Sequence, residues 1–405
     1  MQTQFRRALF PVVMFAALGL GLVATSGQGL ESIANWRIKN VGPLPVVRCP
    51  DLPLAFTRQF HPFDGDADKL SGSDLGVQLT NVLHQLNDAL APIQSSVDSS
   101  VRLNFCLRRD QDRVVVQALL QRHAPGCRAS LTFVSGDLTH PGQMLSLDAV
   151  VISYADMSRN AHIGTVRRYL QGYRADDLKA LKSGRRVFVS GQAVRDDTTV
   201  AAADKTMEQL GKTLKHLGLS WTNVVQVKSF LRPMDSTEKV SEVVRSFFPT
   251  NEAPPQVFVE WTMTSPIEIE LVVNGGPDDG KGPAVEYLTP PGMKASPVFT
   301  RVVRVNRGSL VFTSSLYGPT DRGVENEIRE IFRELDESMN EMGSNMLHLA
   351  KATYYVTTPD SSRFLGQIRP EVYDPKRPPA ASKASVRGTG LPGHRINMDL
   401  IGVAR

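Results

Sequence analysis

The chain has 405 residues, 41% of them hydrophobic and 21% charged, with a formal net charge of +5. That length exceeds one compact domain and predicts two to four. The composition is that of an ordinary soluble protein without low-complexity tracts. A charge this mild, with no clustered Lys/Arg face, excludes a nucleic-acid footprint.

Arg6 and Arg7 precede an uncharged run from Ala8 to Ala24, and small residues follow to Gly27. This pattern predicts a signal peptide over 1–26, cleaved before Gly27. The run sits at the lower limit for a spanning helix, and Pro11, Gly19 and Gly21 weaken it further. An uncleaved anchor is the alternative. The expected location is exported, periplasmic or secreted, with no integral membrane domain beyond the leader. Without Arg6 and Arg7 the balance is 44 basic to 41 acidic residues. Cys49, Cys106 and Cys127 permit one disulfide in any of three pairings, or three buried thiols.

Beyond the leader, one order of elements occurs three times. Each copy opens on a β-rich run: 54–62, then 186–194, then 309–319. An amphipathic helix follows. Its apolar stripes are Leu83, Leu86, Leu90, Ile93; then Met207, Leu210, Leu214, Leu217; then Phe332, Leu335, Met339, Met342. All three have the spacing of one helical face. Gly218 and Gly343 fall where a left-handed helix end favours glycine. Strands are predicted over 101–107, 224–231 and 349–357. Second, shorter helices follow, with Asp235 and Asp360 as N-caps. Each copy closes on strand–turn–strand, over 127–151, 256–273 and 383–403, where alternation of apolar residues argues for strands. Stripes and middle strands repeat with a period near 124–125, too long for a solenoid, so each copy is a small domain. The stretches 155–183 and 275–297 fall outside the pattern. The second carries Gly, Pro and Asp and reads as a linker.

This β-β-α-β-α-β-β order resembles the RidA/YjgF family, whose fold is shared with chorismate-mutase-like trimers. The second copy carries the likeness best, in VFVSGQ, HLGLSWTNVVQVKSFL and PIEIELVV. In the third, SPVFTRVVRVNRGSLVFTSS is similar to the family's N-terminal hairpin. The first is the most diverged. The implied fold class is α+β, with RidA-like domains at 40–154, 184–274 and 298–405 around a connecting segment at 155–183 and a linker at 275–297. Family members are typically homotrimers with ligand sites between subunits, so three copies in one chain imply a monomeric intramolecular pseudo-trimer. Each sheet has helices on one face only and must bury the other.

The resemblance also implies chemistry. Family members hydrolyse reactive enamines and imines to ketones and ammonia without a cofactor. An Arg clamps the substrate carboxylate, a Glu on the penultimate strand positions or activates water, and a hairpin Ser orders the cleft. At the Arg position the copies have Arg128, Gln256 and Lys383. At the Glu position they have Ser146, Glu268 and Asn397, and at the Ser position Arg58, Ser190 and Ser314. No copy keeps both Arg and Glu. One composite site remains conceivable: Arg128 with Ser130 from the first copy, Glu268 with Ser190 from the second. Its ligand would be a small carboxylate. The alternative is a non-catalytic binding or scaffold protein that retains the fold. DGDAD at 64–68 lacks the Gly and Glu of a calcium loop, the His residues lack metal-ligand spacing, and no phosphate loop occurs. Tyr169 and Tyr173 could give a cleft an aromatic edge.

Overall fold

The computed structural model describes residues 31–38, 42–64, 69–155, 177–249 and 253–405. The leader, all of DGDAD but Asp64, and Tyr169 and Tyr173 lie outside the described residues.

Two strands open the chain, β1 (Glu31–Ile38) and β2 (Gly42–Cys49). The first unit follows: β3 (Leu54–Thr57), α1 (Leu75–Leu90), β4 (Ser100–Leu107), α2 (Asp112–His123), β5 (Ser130–Ser135) and β6 (Leu145–Ile152). Strand β7 (Leu178–Leu181) leads to the second: β8 (Arg186–Gln192), α3 (Thr199–His216), β9 (Val224–Leu231), α4 (Thr237–Ser246), β10 (Gln256–Glu260) and β11 (Ile267–Asn274). Strands β12 (Val285–Leu288) and β13 (Val302–Val305) lead to the third: β14 (Ser309–Phe312), α5 (Gly323–Glu341), β15 (Leu349–Val356), α6 (Pro359–Val372), β16 (Ala380–Ser385) and β17 (Ile396–Ala404). The fold class is α+β, with three sheets among the described residues.

Local chemistry sets the helix ends. Asp74 accepts from the Gly76 and Val77 amides at the start of α1, and Thr198 accepts from Ala201 at the start of α3. The predicted caps of the shorter helices are displaced, by one residue in α4 and by two in α6. Ser236 holds the N-cap position of α4 without a side-chain cap bond. Thr358 caps α6 through a reciprocal box with Ser361, which leaves Asp360 in the first turn paired with Arg363. Gly218 and Gly343 adopt φ of 72° and 73°, and in the first unit Gln94 takes the same place with φ 56°. The predicted stripes face inward. Each main helix lies over a private apolar core on one face of its sheet.

The closing strands of a unit do not pair with each other. In the first, β5 runs parallel to β4 on one side, reached through α2, and β6 runs antiparallel on the other. The other units repeat this pattern. The strand leading into each unit belongs to a neighbour's sheet. β2 pairs with β14 of the third unit, β7 with β3 of the first, and β13 with β8 of the second. The stretches 155–183 and 275–297 therefore contain sheet strands, β7 and β12. The expected hairpin of β13 with β14 does not form; the chain crosses between sheets instead.

The second faces of all three sheets meet in one apolar core. It includes Phe56, Val101 and Val150 of the first unit, Phe188 and Val272 of the second, and Phe312 and Ile401 of the third. Each such side chain taken out of water contributes about 1.5–3 kcal/mol. This is why β6 and β17 are buried along their whole length.

Polar contacts beside this core close a ring. The third residues of the middle strands are Arg102, Gln226 and Lys351, and the fourth residues of the closing strands are Asp148, Glu270 and Asp399. Arg102 pairs with Asp399 at 3.0 Å, joining the first unit to the third. Lys351 pairs with Glu270 at 2.6 Å, joining the third to the second. Gln226 instead donates to the Thr57 carbonyl at 2.9 Å, joining the second to the first. Each unit thus grips the next by the same positions. Where the third cation is missing, Asp148 accepts from Asn104 at 2.6 Å, and burial pushes its carboxyl up to about 6. All three cysteines are free thiols. Cys49 and Cys106 are buried, and burial pushes each up to about 12.

Candidate functional site

Strand pairing fixes which residues correspond between units. Opposite the fourth residues of β4, β9 and β15 stand Leu131, Gln256 and Ala381. Arg128 and Lys383 are therefore not the counterparts of Gln256. The loops entering β5, β10 and β16 differ in length, which shifts the alignment. Ser146, Glu268 and Asn397 do correspond, as second residues of the closing strands. Arg58, Ser190 and Ser314 also correspond, each two residues beyond the matched pairs Phe56–Val150, Phe188–Val272 and Phe312–Ile401.

Three clefts follow, each lined by the outer strand of one unit and the closing strand of another. Two are filled. Between the second and first units, Gln59 spans the gap. Its amide nitrogen donates to Ser146 Oγ at 2.8 Å and to the Phe258 carbonyl at 3.0 Å, and its oxygen accepts from the Phe258 amide at 3.1 Å. Between the first and third units, Asn397 Nδ2 donates to the Phe133 carbonyl at 2.6 Å and the Thr389 carbonyl at 2.9 Å. Ser314 and Ser315 accept from the Leu131 and Phe133 amides at 2.9 Å each. Buried Arg113 lies over Phe133 and Tyr317.

The cleft between the third and second units differs. The counterpart of Gln59 and Ser315 is Gly191, and a Cβ there would stand 1.9 Å from Glu268 Oε1. The glycine makes room for the Glu268 carboxyl. Ser382 Oγ accepts from the Gly191 amide at 3.2 Å and donates to Glu270 at 2.6 Å. Burial first, then the Glu270 charge, pushes Glu268 up to about 7, against Ser382, Lys351 and Lys383. Glu270 moves the other way. Burial opposes its charge, but Lys351 and Lys228 hold it below the usual carboxylate range. Lys383 donates to Ser362 at 2.7 Å. Burial and Arg369 lower its pKa, with Glu268 opposing. Ser190 Oγ is buried without a hydrogen-bond partner. The two adjacent acids thus hold separated protonation behaviour, an arrangement typical of functional sites.

Of the residues singled out in the sequence, Glu268, Ser190 and Lys383 converge on this cleft. Arg128 does not. It is exposed and donates to the Pro125 and Cys127 carbonyls, two residues before β5, the strand that faces the third unit. Arg128 and Glu268 therefore belong to different clefts, and the composite pair does not form. Ser130 Oγ is turned inward onto the Val101 carbonyl at 3.0 Å. Gln256 Oε1 is buried without a partner beside the filled cleft, and Ser314 bridges to the Pro45 carbonyl. The contributions of Gly191 and Ser382 carried no signal in the sequence, because they act through a neighbouring unit.

A direct comparison bears on the second unit. Residues 175–274 match the family model described as Endoribonuclease L-PSP. The second unit belongs to this family, the RidA/YjgF family. Solved structures similar to the chain include a YjgF-family protein from Neisseria meningitidis, with 18% identity, covering 30% of this chain and 95% of that one at a TM-score of 0.23. A YjgF-family protein from Mycobacterium tuberculosis has 21% identity over 26% of this chain and 86% of that one, at 0.22. Among curated proteins no relative matches. Among the described residues no helix is long and apolar enough to cross a membrane.

Proposed function

We propose that the chain hydrolyses a small carboxylate-bearing imine or enamine at one cleft, between its third and second units. The observation that carries this reading is Glu268, a buried carboxyl set near 7 that occupies the space beside Gly191 which side chains fill in the other two clefts. Lys383 anchors the substrate carboxylate as a point charge. Glu268 takes a proton from water as the oxygen bonds to the imine carbon. That proton passes to nitrogen to give a carbinolamine, and the hydroxyl proton then follows through Glu268 to nitrogen as the C–N bond breaks, the carbonyl forms and ammonia leaves. Ser190 holds the substrate or the water. Ammonia release from a freshly generated 2-imino acid tests this. Wild type should exceed Glu268→Gln by about 10²–10⁴-fold, and equal rates would contradict it.

One observation favours binding without chemistry. Ala381 stands at the place where the resemblance puts an Arg, so the forked clamp is gone. A thermal shift with small carboxylates that needs Lys383, without ammonia release, would select that reading. We also infer export, from Arg6, Arg7 and the apolar run behind them. N-terminal sequencing of the mature protein should begin at Gly27, and an intact Met1 would contradict cleavage.

A further inference from the structure

Arg301 precedes β13, the strand that the third unit lends to the second unit's sheet. Its carbonyl accepts from the Ser190 amide at 3.0 Å. Strand register makes Asp177 and Pro45 its counterparts, each two residues before the partners Lys179 and Val47 of Phe56 and Phe312. Both counterparts are used within the protein. The Asp177 carboxylate is taken by Arg58, which occupies the Ser190 position. The Pro45 carbonyl accepts from Ser314 Oγ at 2.6 Å.

Arg301 is not used in this way. It makes no ion pair among the described residues, and its Nε is buried without a hydrogen-bond partner. Its guanidinium lies over the Phe299 ring, 4.9 Å from the centroid. Ser190, 1% exposed, has a hydroxyl that also lacks a partner. The electrostatic neighbour of Arg301 is Glu268, which is likewise a neighbour of Lys383. Lys351 is already neutralised by Glu270. Two cations, Lys383 from β16 and Arg301 before β13, therefore approach one carboxyl, and when Glu268 is protonated their two charges are matched by two ligand carboxylates rather than one.

We propose that this cleft selects small dicarboxylates, with one carboxylate held by Lys383 and the other by Arg301, whose planar fork suits bidentate contact. The proposal rests on the reading of this cleft as the ligand site and names its substrate class, the imines of dicarboxylic acids. Titration calorimetry on the full chain tests it with 2-oxoglutarate and 2-oxobutanoate, the keto acids of a dicarboxylic and a monocarboxylic imine. Wild type should bind 2-oxoglutarate at least about tenfold more tightly. Arg301→Leu should erase that preference, while Arg301→Lys, which keeps the charge, should retain part of it. Equal affinities in wild type, a preference that survives Arg301→Leu, or no binding of either acid would overturn the proposal. Ammonia does not enter this readout. Selective binding without hydrolysis would sink the deaminase reading and leave this one standing.

Discussion

The gap between the second and first units is crossed by Gln59, whose amide joins Ser146 on one side to the Phe258 backbone on the other. The matching gap between the third and second units has Gly191 in place of Gln59 and Glu268 in place of Ser146. The same scaffold thus supports two outcomes. Where a side chain satisfies both walls, the cleft is a joint that stabilises the assembly. Where the side chain is absent, the Glu268 carboxyl takes its place, stays chargeable near neutral pH and has the cations Lys383 and Arg301 as neighbours, an arrangement that a ligand role explains. The joint between the first and third units follows the first pattern, through Asn397 and Ser315.

The largest expected effect is on the open cleft. Gly191→Gln should rebuild the bridge there and lower ammonia release to the level of Glu268→Gln, about 10²–10⁴-fold below wild type. An active Gly191→Gln enzyme would break the comparison. Next comes the ring of contacts that holds both kinds of cleft in place. Arg102→Ala should cost about 3–5 kcal/mol in denaturant unfolding, because Asp399 is left buried and unpaired. Gln59→Ala should cost about 1–3 kcal/mol by orphaning the Phe258 amide and carbonyl, with ammonia release unchanged.

Glu268 also predicts a pH signature. Its folded pKa is raised from 4.5 to about 7, so between these values the folded state binds more protons than the unfolded one. Stability contributed by the protonated carboxyl is complete below the lower value and lost as pH rises to the upper. The melting temperature of wild type should therefore fall relative to Glu268→Gln across that window, while hydrolysis rises with a midpoint near the upper value. A constant difference between the two proteins would contradict the assignment.

Much of this was legible in the sequence, for physical reasons. The stripes ending at Ile93, Leu217 and Met342 are local patterns, and they fixed the helices, their inward faces and the period. Gly218 and Gly343 marked two of the helix ends, and the third uses Gln94 in a conformation that favours glycine. Gln94→Gly should accordingly stabilise the first unit by about 0.5–1 kcal/mol, the smallest effect expected here, measurable by denaturant unfolding. Strand exchange was not legible. The run Val302–Val305 buries the same residues whether it folds back on β14 or crosses to β8, and the choice depends on distant partners. The same ambiguity misaligned Arg128 and Lys383 with Gln256 and hid Arg301, which reads as an ordinary basic residue at a strand start. Glu268 was visible because its strand, PIEIELVV, is apolar enough to fix its own register.

The central claim is that one cleft of three receives a ligand. Crystals of the protein soaked with 2-oxoglutarate test it most directly. The account predicts ligand density between Glu268, Lys383 and Arg301, and none beside Gln59 or Asn397. Density in either of those two clefts, or in none of the three, would contradict it.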